Sequence, residues 1–142
     1  MKKTLNFLFV VLFIIVFAYL FIPDKQYTNK LWAVKGISLA QPYKAAVIEY
    51  VMKTRSLPGP GDLEHAKIQV KVNFNNTPVK NITIGERGPG TVTVYFFDSG
   101  IESAPAEINN RTITLVPSLI ENKLSWSCAS TLPVEFVPRA CK

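Results

Sequence analysis

From Phe7 to Ile22 the chain reads FLFVVLFIIVFAYLFI, sixteen residues without a charge, a proline, a glycine or any polar group except the Tyr19 hydroxyl. Leu5 and Asn6 extend the stretch to eighteen, and as a helix it spans roughly 27 Å, near the lower limit for crossing the hydrocarbon core of a bilayer. A stretch apolar on every face does not suit a helix that covers one side of a soluble core. Lys2 and Lys3 precede it, so the positive-inside tendency keeps the N-terminus in the cytoplasm and sends the rest of the chain across. A secretory peptidase needs small residues just after the apolar run, and the exit here, Ala18 to Pro23, holds no A-x-A pattern. The sequence therefore predicts a retained single-pass anchor over residues 1–23 and an exported domain over 24–142.

Export changes the reading of the only two cysteines, Cys128 and Cys141. Outside the cytoplasm thiols oxidise, so an even pair is expected as a disulfide rather than as a metal site or a nucleophile. A loop of this size is worth about 3 kcal/mol in the chain-entropy account, and its first use is to pin a C-terminal tail that would otherwise fray.

After the anchor, Leu31, Val34, Ile37 and Leu39, then Ala46, Val47, Tyr50 and Val51, recur at mostly helical spacing. Pro42 is expected to kink this helix, and LPGPG at 57–61 to stop it. Anchor and amphipathic helix are thus expected as one long, bent rod from about residue 5 to about residue 56. Beyond Asp62 the period becomes two. AKIQVKVNF (66–74), VKNITI (79–84), TVTVYFFD (91–98), RTITLV (111–116) and KLSWSC (123–128) read as short strands, separated by NNTP, GERGPG, DSG and INN. Four or five such strands imply an antiparallel sheet with one apolar face, and the preceding helix is its cover. The expected class is α+β.

No catalytic constellation stands out. His65 lies in GDLEHAK beside Asp62 and Glu64, without a recognisable serine or cysteine nucleophile, and reads as a solvated histidine. GERGPG precedes a strand rather than a helix, so it reads as a hairpin turn and not as a phosphate loop. The seven Glu and three Asp are scattered and the two cysteines lack further ligands, so neither a metal nor another cofactor is expected. The net charge of +6 is spread along the chain without a dense basic run, which argues against a nucleic-acid groove. NNT, NIT and NRT at Asn75, Asn81 and Asn110 match the glycosylation acceptor pattern, which matters only in a eukaryotic secretory route.

The order of parts resembles a type IV pilin. The residues that carry the likeness are Ile22 and Pro23 followed by Tyr27 and Thr28, ISLAQPYKAAVIEYVMKTRSLP, ITIGERGPGTVTVYF, TITLVPS and, most specific, LSWSCASTLPVEFVPRACK with its tryptophan two residues before the first cysteine and its VPxxC close. The resemblance implies a long N-terminal helix, half membrane-spanning and half amphipathic, packed on a four- to five-stranded antiparallel sheet. In the family the cysteine loop staples the C-terminal region to the sheet and forms an exposed surface, sometimes used in adhesion. It further implies a non-catalytic structural or adhesive protein of a type IV pilus, in the bacterial inner membrane with a periplasmic domain, or at the cell surface. Implied partners are pilin subunits, pilus-assembly proteins and a host surface. The N-terminus departs from the family. Pilins carry a basic leader ending in glycine and a glutamate at the fifth mature position, whereas the first glycine here is Gly36 and Asn6 falls where that glutamate would be. On this reading prepilin peptidase leaves the N-terminus intact, and the alternatives are an inner-membrane assembly accessory or a periplasmic binding module on the same fold.

Overall fold

The computed structural model describes residues 2–21, 25–97 and 106–141. Two helices come first, α1 (Lys2–Phe21) and α2 (Lys25–Thr54), then a single turn α3 (Asp62–His65), and four strands: β1 (Val79–Ile84), β2 (Val92–Phe96), β3 (Thr112–Ile120) and β4 (Lys123–Ser130). The strands form one antiparallel sheet in the order β1-β2-β3-β4. The expected α+β arrangement, a helix laid across an antiparallel meander, is what the chain builds. The rod junction at Ile22 and Pro23 and the DSG turn at 98–100 lie outside the described residues.

One face of the sheet forms the core. Strand alternation puts Ile82, Val92, Val94, Phe96, Ile113 and Leu115 on the same side, and all of them are buried. Against them lie Ala33, Ala40, Val47 and Val51 of α2, together with the buried Gly36. The expected apolar stripe needs correction here: Leu31 and Val34 are 50% and 48% exposed, while the smaller residues beside them face the sheet. Close approach explains the choice. A Cβ at Gly36 would stand 2.8 Å from the Phe96 ring and 3.4 Å from Val94, so the glycine is what admits Phe96 beneath the helix. Helix α2 also runs through Pro42 without a break. The proline is exposed, so water can serve the carbonyl that loses its helical partner.

The expected strand at 66–74 is not part of the sheet, whose four strands are within the expected four to five. The alternation itself is real: Ile68 is buried and Val70, Val72 and Phe74 are half-buried, while Gln69, Lys71 and Asn73 are exposed. Three of them pack directly on the core, Ile68 and Val70 in a cluster with Ala46, Leu63 and Ile84, and Phe74 against the main core. Period two here encodes one-sided burial of an extended segment, and burial needs no ladder.

The turns follow local chemistry. Glu121 and Asn122, both with positive φ (49° and 61°), make the two-residue link that pairs Ile120 with Lys123. Pro117 sits in β3 beyond Leu115, where pairing with β2 ends and the strand has β4 alone as neighbour. GERGPG is the hairpin between β1 and β2, and the LPGPG loop docks on it through a hydrogen bond from the Gly90 N–H to the Pro58 carbonyl at 2.6 Å. Gly85 has φ +78°, and a Cβ there would lie 2.7 Å from the Gly59 backbone. Gly85→Ala therefore combines left-handed strain with a backbone clash and is expected to cost about 3 kcal/mol in urea unfolding. A loss below about 1 kcal/mol would show that the two loops separate without penalty.

Candidate functional site

Cys128 and Cys141 form a disulfide with Cα atoms 4.8 Å apart. Strand β4 places Cys128 opposite Leu115, on the helix-facing side of the sheet, and a 3-10 turn over Arg139–Cys141 returns the tail to it. The start of the enclosed loop is fixed to β3, with the Thr131 N–H donating to the Thr112 carbonyl (3.0 Å) and the Thr112 N–H donating to the Thr131 hydroxyl (2.8 Å). Turn bonds from Phe136 to Pro133 and from Cys141 to Pro138 shape the rest. Leu132 and Phe136 are buried, and Val134, at 72% exposure, forms the outward tip with Glu135. The bridge thus fastens a loop that is apolar beneath and exposed above.

A second feature is the outer surface of the helices. Every side chain from Val10 to Leu20 in α1 is exposed. On α2, Leu31, Val34, Ile48 and Met52 stand exposed at 31, 34, 48 and 52, a helical stripe beside the one that faces the sheet. Among the described residues no helix is long and apolar enough to cross a membrane, and the expected anchor ends at Ile22, outside those residues. Lys44 lies 4.8 Å from the centre of the Trp126 ring and tethers α2 to β4. Neither this pairing nor the exposed stripe was legible in the chain, because both depend on how α2 is turned over the sheet.

The remaining sequence candidates resolve into structural roles. His65 is exposed at the end of α3. Asp62, the carboxylate that could have oriented it, instead accepts the Gly59 N–H at 2.7 Å and holds the LPGPG loop. Among the described residues no three His, Cys, Asp or Glu side chains gather into a group that could hold a metal ion. Sequence reasoning missed Glu86, which folds back over the sheet. Hydrogen bonds from the Thr83 hydroxyl (2.7 Å) and then from the Tyr95 hydroxyl (2.9 Å) hold its carboxyl below the ordinary carboxylate range.

A helix across a four-stranded antiparallel meander, closed by a C-terminal disulfide, defines the architecture of filament subunits of the pilin type. The chain matches the family described as Pilin (bacterial filament) over residues 33–142, and it belongs to that family. No curated protein matches it. The match covers α2 from Ala33 onward, the sheet and the disulfide loop; Ile22, Pro23, Tyr27 and Thr28, which also carry the sequence resemblance, lie before it.

Proposed function

We propose that this pilin-like structural protein is anchored in the bacterial inner membrane by residues 1–23, with residues 24–142 in the periplasm, and packs with further pilin subunits through its N-terminal helices. The observation that carries the reading is the exposed apolar surface of those helices, Val10 to Leu20 on α1 and Leu31, Val34, Ile48 and Met52 on α2. Exposed apolar surface of this extent marks a protein or membrane contact, since water exposure is its least favourable state. The apolar run of Phe7–Ile22 and the flanking Lys2 and Lys3 support the anchor and its orientation. The disulfide loop, exposed at Val134 and Glu135, is then the surface offered to a host cell. The reading is of a non-catalytic protein.

Asn6 favours a second reading, an assembly accessory that stays in the membrane, because asparagine cannot make the ion pair available to a glutamate there. The deciding experiment is an immunoblot of sheared surface filaments against washed membranes, with the N-terminal mass determined from the fraction that holds the protein. Filament recovery is the expected result. Recovery in membranes alone, with an intact N-terminus, would replace the subunit reading by the accessory one. A variant carrying Val34→Glu and Ile48→Glu should keep its stability within about 1 kcal/mol, as both sites are exposed. Its recovery in filaments should nevertheless fall about tenfold or more, and unchanged recovery would remove α2 from the subunit contact.

A further inference from the structure

The face of the sheet turned away from α2 carries a polar cleft of about 390 Å³ that the helix and the disulfide loop do not touch. Strand register lays Asn81, Tyr95 and Thr112 in a row across its floor. Two loops supply its walls. From the β1–β2 hairpin, Glu86 reaches back to Thr83 and Tyr95, and the Arg87 guanidinium sits 5.7 Å from the centre of the Tyr95 ring. From the turn before β3 come Asn110 and Arg111. That turn is held by left-handed Asn110 (φ 56°), whose N–H donates to the Phe97 carbonyl, and by the Phe96 N–H donating to the Arg111 carbonyl. Lys80 completes the rim.

The functional groups describe what fits. Two guanidinium groups offer planar forks that match a carboxylate. Beside them stand two primary amides, each both donor and acceptor, and one carboxylate, an acceptor for hydroxyl groups. An anion that also carries several hydroxyls uses all of them. A phosphodiester chain does not: it offers few hydroxyls to Glu86 and the two amides, and the Tyr95 face, where a base would stack, is already covered by Arg87. We propose that this cleft binds a carboxylated sugar unit, with Arg87 and Arg111 holding its carboxylate and Asn81, Asn110 and Glu86 taking its hydroxyls. The site holds equally for a filament subunit and for a membrane-retained accessory protein.

The test is calorimetric titration of the full chain in non-ionic detergent with trigalacturonate and with sialyllactose, each beside its neutral counterpart, galactotriose or lactose. At least one acidic sugar should bind about tenfold more tightly than its neutral partner. Arg111→Gln should remove most of that difference, and Lys53→Gln, on the far side of the molecule in a helical ion pair with Glu49, should leave it unchanged. Salt separates the rival ligand, since a nucleic-acid site would bind a DNA duplex more tightly than either acidic sugar and with a steep salt dependence. Thermal unfolding of each variant confirms that the fold is kept. Equal binding of acidic and neutral sugars, no binding of either acidic sugar, or tighter binding of a DNA duplex than of either acidic sugar would overturn the proposal.

Discussion

Replacing Cys128 and Cys141 together by serine is expected to cost about 3 kcal/mol and to lower the unfolding midpoint by roughly 10–20 °C. The entropy of closing the loop in the unfolded chain supplies the first contribution. The native loop supplies a second, because Leu132 and Phe136 are buried beneath it and an opened tail exposes them more often. The loss should be uneven. Hydrogen bonds between Thr131 and Thr112 keep the near end on β3, while the far end has no such bonds to the sheet among the described residues and is held by the bridge, one local turn and the packing of Val137 and Cys141 on the core. Hydrogen exchange on the serine variant should therefore show the Phe136 and Cys141-position amides opening first, with the amides of β2 and β3 retaining their protection. Uniform loss of protection would mean that loop and sheet unfold as one unit. An unchanged midpoint would mean that the buried loop residues hold the tail without the bridge.

The contact between Gly36 and Phe96 should show the largest coupling in the core. Phe96→Ala deletes a ring that is 2% exposed, at an expected cost of about 3–5 kcal/mol. Gly36→Val drives a branched side chain into that ring, which already stands 2.8 Å from where a Cβ would be, at about 1–3 kcal/mol. In the double variant the valine occupies space the ring has left. The combined loss should fall short of the sum by about 1–2 kcal/mol, read from urea midpoints of the four proteins. Additivity within about 0.5 kcal/mol would show that helix and strand relax independently, and that Gly36 is small for some other reason.

The strands were legible wherever alternation coincided with turn chemistry. VKNITI, GERGPG and TVTVYF read as a hairpin because glycines with positive φ, Gly85, Gly88 and Gly90, stand between two alternating runs. The same alternation at 66–74 misled, since packing on Ala46, Leu63 and Ile84 selects every second side chain just as a ladder does. The disulfide was legible from cysteine count together with the expected export, and the cleft was not legible at all. Its members come from Asn81, Glu86 and Arg87, from Tyr95, and from Asn110 and Arg111, segments that meet only after the hairpin folds back and β3 pairs with β2.

What this sequence determines by itself is therefore what neighbouring residues can decide: the uninterrupted apolar run at Phe7–Ile22, the end of α2 at LPGPG, the hairpin turns and the one possible cysteine pairing. Only the tertiary structure decides which stripe of α2 meets the sheet. Leu31, Val34, Ile48 and Met52 are as apolar as Ala33, Ala40, Val47 and Val51 or more so, and a hydrophobic force without direction does not choose between them. Distance chooses. Gly36 and Ala40 let the helix axis approach Phe96 and Val94 closely enough to exclude water, and the bulkier stripe is left facing outward for another surface to cover.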